Sequence, residues 1–261
     1  MPAAAWSRIP ASSSPFPGWA LNAPCIPNTG GTLASTFFSM GLSWVLFNLT
    51  GTLVDPTVLA QPLGDSGADE EIVLSALDDT VAMAMVDAVT GDSHTLNELM
   101  AAAMRRRLRL VGADESRAAA AIQLIGTMPA YIEAPGALES LRSRGLKLGV
   151  LSQSSAAATD SVLRFAGLRD RFELVLSAQD AGAFKPDLRP YRYALEQTDA
   201  GAGNAVCMVS THWWDVAGAK RAGLRTAWVA RRERSLLDTV PPPDYTGRDL
   251  AEVAEAIVTR M

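Results

Sequence analysis

The sequence predicts an α/β protein: a Rossmann-like parallel sheet core with a helical cap domain inserted after the first strand. From residue 129 onward, short apolar runs alternate with helical patterns, which is typical of a parallel sheet covered on both faces. Before that, a long helical stretch separates the first strand from the rest of the sheet. Polar residues follow several predicted strands, at the edge where such sheets bind ligands.

The first strand covers residues 45–47, Gly51-Thr52 form the turn after it, and the insert that follows holds three predicted helices. The first helix, residues 69–89, carries apolar side chains at helical spacing. This stripe consists of Ile72, Val73, Ala76, Leu77 and Thr80. The capping box Thr95-x-x-Glu98 begins the second helix, and the third begins at Asp114.

The rest of the chain alternates helices and strands. Predicted helices cover 134–145, 156–167, 189–198 and 215–223, and a last one begins near Arg248. Predicted strands cover 146–152, 172–177, 205–210 and 225–230. We therefore divide the chain into a flexible Pro- and Ser-rich leader (1–41), a core (42–57 and 130–261) and a helical cap (58–129).

Composition excludes several classes of function. The 261 residues are 48% hydrophobic and 20% charged, as in ordinary globular proteins, and the net charge of -5 argues against a nucleic-acid binder. Two cysteines, Cys25 and Cys207, make no disulfide framework, and we expect Cys207 to be a buried thiol. No transmembrane run or secretory signal is apparent. We expect a cytoplasmic protein that acts on a small molecule, with no cofactor and no membrane partner.

Four loops that follow predicted strands carry the candidate site residues. In chain order they hold Asn48, Thr50 and Thr52; Ser152 and Gln153; Lys185 and Pro186, with Tyr191 beyond; and Ser210, Thr211, His212, Trp213 and Asp215. Because the carboxyl ends of parallel strands meet at one edge, we expect these loops to form one site.

Together the four loops resemble the motifs of the haloacid dehalogenase superfamily, and most of all its L-2-haloacid dehalogenase (type II) branch. The segments FKPDLRPYRYAL and MVSTHWWDVAGAKRAGLRTAWVAR are similar to that branch's lysine loop and fourth motif, and the likeness covers about residues 42–260. In that family an aspartate attacks the carbon bearing the halogen and forms an ester, which water then hydrolyses. Asn48 holds the place of this aspartate. The resemblance also makes a homodimer the candidate assembly.

The resemblance implies a role for each matching position. Thr52 and Ser152 would form hydrogen bonds in the site, Lys185 would supply charge, Ser210 and Asp215 would place water, and Tyr191 would support Lys185. Thr50 and Gln153 complete the substrate-binding set. Since Lys185 keeps one carboxylate partner instead of two, we expect a lowered pKa that frees it for a neutral ligand or as a base.

The positions that depart from the family pattern are as informative about function as the positions that match it. Asn48 is neutral and a poor nucleophile, and of the carboxylates that a magnesium-dependent phosphatase needs only Asp215 remains, so we predict no metal. In the cap, Leu77-Asp78-Asp79 stand where dehalogenases place an arginine, and this acidic pair would repel a carboxylate. His212 replaces an asparagine and is a candidate general acid or base.

Two tryptophans follow this histidine. Trp213 is the candidate for a ligand-facing ring, whereas Trp214 matches an aromatic residue of the family and is expected to pack in the core.

Three accounts of function remain open. We favour a divergent enzyme that uses Asn48, Lys185, His212 and Asp215 for proton transfer, elimination or cyclisation without an ester. A catalytically silent relative that binds a ligand or a protein is the second. In the third, Asn48 is an engineered or inactive replacement in a haloacid hydrolase. Thr50 stands where dehalogenases usually have a bulky aromatic residue and phosphatases a second aspartate. This departure, with those at positions 78–79 and 212, argues against the third account, because a trapping mutant alters one position only.

Overall fold

The computed structural model of the chain describes residues 41–64, 69–92 and 94–261. The predicted leader up to residue 40, with Cys25, lies outside these residues. The strands of the sheet are β1 (Trp44–Phe47), β2 (Lys147–Ser152), β3 (Leu174–Ser177), β4 (Val206–Ser210), β5 (Arg225–Val229) and β6 (Tyr245–Gly247). They pair in parallel in the order β3-β2-β1-β4-β5-β6, which confirms the predicted parallel α/β core.

Helices cover the sheet and form the insert. Their bounds are α1 (Asp69–Thr90), α2 (Leu96–Leu110), α3 (Arg117–Gln123), α4 (Ala134–Arg142), α5 (Ala156–Phe165), α6 (Leu188–Gln197), α7 (Trp213–Arg221) and α8 (Leu250–Thr259). Val45 and Phe47 belong to one apolar core and Trp44 and Leu46 to another. Strands buried on both faces read as continuous apolar runs, which is why β1 showed no polar alternation.

β1 lies in the middle of the sheet, between β2 and β4. Phe47 pairs with Val150 of β2 and with Val209 of β4, so the three strands end within two residues of one another. The strand order reverses at β1, and this is the point where open α/β sheets form a ligand crevice. The loops after β1, β2 and β4 therefore meet beside the end of β1.

The helical insert, residues 58–129, contains α1 to α3 and lies between β1 and β2 in the chain. A bridge between Val54 and Ala130 joins the two segments that enter and leave it. The predicted capping box is present, since Thr95 accepts from the Glu98 N–H and Glu98 accepts from the Thr95 N–H. Four of the five residues in the predicted stripe are buried, and Leu77 is half-buried. That the insert forms a separate cap domain stays a prediction.

α3 begins at Arg117, three residues after its predicted start at Asp114, and two further elements differ from the sequence prediction. β6 was missed, because three residues after a run of prolines carry no recognisable period. α7 begins at Trp213, two residues before the predicted start, because the His212 carbonyl already accepts from the N–H groups of Asp215 and Val216. His212 and Asp215 are thus held on one rigid turn.

Cys207 is a buried free thiol in β4, as predicted, and burial raises its pKa, which keeps it protonated and unreactive. None of the described helices has the length and hydrophobicity that crossing a membrane requires.

Candidate active site

A pocket opens beside the end of β1, between the sheet edge and the helical insert. The strand-end residues Asn48, Ser152, Gln153 and His212 line one side. The insert supplies an apolar wall that includes Leu74, Leu77, Val81, Met100, Ile125 and Met128. Such a pocket, mostly apolar with a few convergent polar groups, is the usual form of a small-molecule site.

Asn48 is held by hydrogen bonds at both ends of its amide. Its Nδ2 donates to the Thr50 carbonyl oxygen at 2.8 Å and to Thr52 Oγ1 at 3.4 Å, while its Oδ1 accepts from Lys185 Nζ at 3.0 Å. In the opposite orientation of the amide, Nδ2 would face the Lys185 ammonium, which is also a donor, and Oδ1 would face the Thr50 carbonyl, which is also an acceptor. The hydrogen-bond network therefore fixes the orientation of the amide. A carboxylate here would place an oxygen against the Thr50 carbonyl, and the loop is therefore built for an amide.

Lys185 is fully buried, and each of its three N–H groups has an acceptor. Nζ lies 3.0 Å from Asn48 Oδ1, 2.9 Å from the Leu151 carbonyl oxygen and 2.9 Å from Asp215 Oδ2. Burial lowers the pKa of Lys185 from its ordinary value, and the Asp215 carboxylate opposes this shift. The expected direction holds, but Lys185 does not line the pocket and has no N–H left for a ligand. The expectation that it is free is wrong.

Asp215 completes this buried network. Its Oδ2 accepts from Lys185, and its Oδ1 accepts from the Tyr191 hydroxyl at 2.6 Å. Gly218, one turn along α7, leaves room for the Tyr191 ring, because a Cβ there would lie 2.7 Å from Tyr191 Cε2 and Oη. Tyr191 thus supports the carboxylate from behind and does not reach the pocket, in contrast to its predicted place among the substrate-binding residues.

Gln153 fixes the loop that carries Lys185. Its Nε2 donates to the Lys185 carbonyl at 2.8 Å, and its Oε1 accepts from the Lys185 N–H at 2.8 Å. Both ends of the Gln153 amide are therefore taken by backbone, although the residue lies on the pocket wall.

Of the four serine and threonine residues predicted to bind substrate, Thr50 lines the pocket, and the other three are mainly used inside the protein. Thr52 Oγ1 accepts from the Thr211 N–H at 3.1 Å, and Ser210 Oγ accepts from the His212 N–H at 3.2 Å. Neither of them lines the pocket, whereas Ser152 does, with its Oγ accepting from the Ser154 N–H at 3.1 Å. Thr52 and Ser210 thus hold the loops together.

Of the titratable residues in the four predicted loops, His212 is the one that lines the pocket. Its Nε2 lies 3.1 Å from the Thr50 carbonyl oxygen, which only accepts, so Nε2 carries the proton. Burial lowers the pKa of His212, against the opposing effects of Asp215 and the Thr50 carbonyl. Nδ1 has no hydrogen-bond partner among the described residues and is the basic nitrogen of this neutral ring. Gly51 has φ +76°, and a Cβ at this position would lie 3.6 Å from His212 Nε2 and 3.3 Å from Thr211 Cγ2, so a larger residue would be strained and would press on this loop.

Trp214 is buried, as expected, whereas Trp213 is not among the residues that line the pocket. Trp214 lines the pocket and stacks on His212, with ring centroids 4.9 Å apart and an interplanar angle of 15°. Trp213 does not line the pocket, since it is the first residue of α7 and packs on the cluster of Val216 and Trp228. Of the two tryptophans, Trp214 is therefore the one that lines the pocket.

The acidic pair of the insert is neutralised by arginines. Asp79 accepts from Arg107 Nε at 2.8 Å and from Arg106 Nη1 at 2.7 Å, which lowers its pKa. Asp78, on the pocket wall, accepts from Arg232 Nη1 at 2.9 Å. The expectation that this pair repels a carboxylate is therefore wrong, because it assumed that both charges are unpaired.

Sequence reasoning missed Tyr131, Arg231, Arg232 and Glu233, all of which line the pocket. The last three follow β5 directly, in the segment ARRER. They form a fifth polar loop at a strand end, so the rule that selected the other four loops would have selected this one too.

The described residues contain no group of three or more His, Cys, Asp or Glu side chains placed to hold a metal ion. Asp215, the one carboxylate kept from the phosphatase pattern, has both oxygens occupied by Tyr191 and Lys185. The residues present therefore do not fit a magnesium site.

A family model described as haloacid dehalogenase-like hydrolase matches residues 42–223. The chain belongs to this family. The (S)-2-haloacid dehalogenase of Pseudomonas sp. (strain YL) is 36% identical over 129 residues, which are 49% of this chain and 55% of that protein. (S)-2-haloacid dehalogenase 2 of Pseudomonas sp. (strain CBS-3) is 28% identical over 80% of this chain and 93% of its own length. With the first relatives it matches, the chain aligns over about half their length.

The structure of L-2-haloacid dehalogenase from Xanthobacter autotrophicus superimposes with a TM-score of 0.74 at 24% identity, covering 84% of this chain and 99% of that one. At this identity the likeness shows the fold alone. The predicted resemblance to the superfamily, near its type II dehalogenase branch, is confirmed.

Proposed function

We propose that this chain is an enzyme that acts on a small organic molecule by proton transfer at His212, without an ester on residue 48. The observation that carries this proposal is the pairing of His212. Because its Nε2–H is committed to the Thr50 carbonyl, the unprotonated Nδ1 is left in a ring that lines the pocket. An imidazole kept neutral near pH 7 is suited to general base catalysis.

The state of Asn48 supports the same proposal. An ester requires a carboxylate that attacks and later leaves, and an amide has neither property. Both ends of the Asn48 amide are also engaged, with Thr50 and with Lys185. We therefore assign Asn48, Lys185 and Asp215 the part of positioning residues, which hold the loop whose carbonyl orients His212.

Binding without turnover is a second candidate, favoured by one observation: Lys185 and Asp215 satisfy each other and offer nothing to a ligand. The names of the relatives favour a third, hydrolysis of a 2-haloacid, for which Asn48 would have to be an inactive replacement. A cytoplasmic location, the homodimer and the lack of a nucleic-acid partner stay predictions.

Proton exchange separates these candidates without knowledge of the natural substrate. Small carbonyl compounds with acidic C–H bonds are incubated with the protein in D₂O, and deuterium incorporation is followed by mass spectrometry. We expect incorporation that falls at least about 100-fold in His212→Asn, which restores the residue usual in the family. His94→Asn, which removes the other histidine of the chain, is the matched control and should leave the rate unchanged.

Asn48→Asp is tested in parallel with 2-haloacids and phosphate esters. Proton exchange that survives this change but is lost in His212→Asn supports the proposal. Halide release that appears only in Asn48→Asp points to the inactivated hydrolase. A covalent adduct on residue 48 of the unmodified protein would overturn the proposed mechanism.

A further inference from the structure

Glu233 lies after β5 on the pocket wall and is half-buried, and the proton transfer proposed for His212 does not use it. Its carboxyl forms no hydrogen bond or ion pair with another described residue. A carboxyl group that is partly removed from water and left without a partner adds nothing to the stability of the fold. On the wall of a pocket, such a group is a candidate for contact with the substrate.

The two arginines that line the pocket beside this carboxyl are paired with other carboxylates. Arg231 Nη2 donates to Glu133 Oε1 at 2.6 Å. Arg232 Nη1 donates to Asp78 Oδ2 at 2.9 Å, and its Nη2 lies 3.4 Å from Glu71 Oε1. Three carboxylates therefore already face the two guanidinium groups, and a further negative charge on the wall would have no cation of its own. This balance favours the protonated, neutral form of the unpaired carboxyl.

His212 and Glu233 reach the pocket from neighbouring strands. β4 pairs in parallel with β5, with Ser210 opposite Trp228, so the loops after these strands leave the same edge of the sheet side by side. His212 lies two residues beyond the end of β4, and Glu233 lies four residues beyond the end of β5. The Asp78 carboxylate acts electrostatically on both side chains, so both lie within range of the same group on α1.

Burial acts on the two groups in opposite directions. It lowers the pKa of His212, which favours the unprotonated imidazole. It raises the pKa of Glu233, and the charge of Asp78 adds to this rise while that of Arg232 opposes it. A neutral base and a neutral acid in one pocket are the pair of groups that proton transfer to and from a carbonyl compound requires.

We propose that Glu233 is the general acid of this pocket and acts on the carbonyl oxygen of an uncharged substrate. His212 Nδ1 takes a proton from the carbon beside the carbonyl as the Glu233 O–H gives its proton to the oxygen. The C–H bond breaks, and the products are an enol, an imidazolium and a carboxylate. Return of a proton to the same carbon completes exchange, and return to a different carbon moves the double bond. The inference rests on the proposed function, since it assigns a second group to the same reaction.

Cyclohexanone and nitrocyclohexane are the probes, because they share one carbon ring and differ in their need for an acid. The nitronate is a stable anion, so nitrocyclohexane can lose its C–H proton without protonation of its oxygen. The enolate of a ketone is far more basic and depends on a proton donor. Deuterium incorporation from D₂O is followed by mass spectrometry for both. We expect Glu233→Gln to slow exchange of cyclohexanone about 100-fold and that of nitrocyclohexane less than about threefold.

The matched control is Glu255→Gln, which changes an exposed glutamate of α8 that does not line the pocket and should leave both rates unchanged. His212→Asn should slow both probes, because both lose their C–H proton to the same base. An equal loss for the two probes in Glu233→Gln would show that this glutamate only shapes the pocket, and it would overturn the proposal. Unchanged exchange of cyclohexanone in Glu233→Gln would overturn it as well.

Titration of Glu233 gives a readout that does not require turnover. Its side-chain carboxyl carbon is followed by ¹³C NMR and assigned by its absence in Glu233→Gln. We expect a midpoint above the ordinary glutamate value of about 4.3, and a midpoint at or below that value would overturn the proposal. Exchange that depends on His212 but not on Glu233 would leave the proposed function standing. Exchange of neither probe by the unmodified protein would overturn the proposed function and this inference with it.

Discussion

The buried network behind Asn48 and the pocket wall after β5 differ in how completely their polar groups are paired. In the network, Lys185 has three acceptors and Asp215 has a donor on each oxygen. On the wall, Arg231 has N–H groups and His212 has an Nδ1 without a hydrogen-bond partner among the described residues. A paired group supports the fold and an unpaired one is available to a ligand. We therefore expect chemistry at the pocket wall more than at the buried lysine and aspartate of the family motifs.

The buried network and the pocket wall should also differ in how much they contribute to the stability of the fold. Desolvation of two buried ions is offset only when geometry and further hydrogen bonds are good, and removal of one partner leaves an uncompensated charge. Exposed ion pairs, by contrast, contribute little to stability. Substitutions in the network should therefore act mainly on the free energy of unfolding, and those on the wall mainly on ligands.

The strongest test of this contrast is Asp215→Ala. It leaves the Lys185 ammonium buried without its carboxylate, and we expect the free energy of unfolding to fall by about 3–5 kcal/mol in urea denaturation at pH 7. Glu115→Ala, which removes the exposed pair with Arg109, should cost at most about 1 kcal/mol. Similar losses for the two variants would break the comparison.

A smaller loss is expected for Asn48→Ala. Lys185 loses one of its three acceptors, and the Thr50 carbonyl keeps only the His212 donor, which should cost about 1–3 kcal/mol. Asn97→Ala is the matched change on the wall, at an exposed asparagine that lines the pocket, and should stay within about 0.5 kcal/mol. If thermal or urea unfolding showed a larger loss of stability for Asn97→Ala than for Asn48→Ala, the Asn48 amide would not be part of the stabilising network.

The pH dependence of stability tests whether His212 is neutral in the folded protein. Burial lowers its pKa in the folded protein, so below the ordinary value of about 6.5 the unfolded chain binds more protons and stability falls as pH falls. His212→Asn should flatten this decline, whose slope for one proton is at most about 1.4 kcal/mol per pH unit.

His94 is the opposing control in the same titration, measured by urea unfolding from pH 5 to 8. Its hydrogen bond with Asp87 raises its pKa, so its contribution is present at low pH and is lost as pH rises. A decline at low pH that persists in His212→Asn would show that His212 is not held neutral.

The smallest effect belongs to Arg232→Gln. Its pairs with Asp78 and Glu71 are exposed, so the free energy of unfolding should change by less than about 1 kcal/mol, and less still in 1 M salt. If the loss of stability did not depend on salt and were similar to that of Asp215→Ala, the pairs of Arg232 would behave like the buried network.

Much of the fold followed from periodicity. The parallel core could be predicted because strands buried on both faces give apolar runs, and the second helix because its capping box is local in sequence. β6 could not, since its pairing with β5 is a tertiary effect on three residues.

The site was harder to predict because its pairing is long-range. Asp79 meets arginines 27 and 28 residues away, and Asp78 meets Arg232 after 154 residues. The sequence shows which polar groups follow strand ends, but it does not show which of them form hydrogen bonds or ion pairs with each other. That is why Lys185 was expected to be available and Arg231 was overlooked.

Gly218 has a consequence for recognising related chains. Alanine there would suit an isolated helix better by about 1 kcal/mol, but its methyl group would occupy the space of the Tyr191 phenol. The glycine and the phenol should therefore covary: a homologue with a larger residue at this position must have lost the tyrosine, and with it one of the two donors of the aspartate. The four-residue pattern Asp-x-x-Gly on this helix, taken with a tyrosine six residues after the lysine, is then a signature of the buried scaffold that does not depend on the residue at position 48.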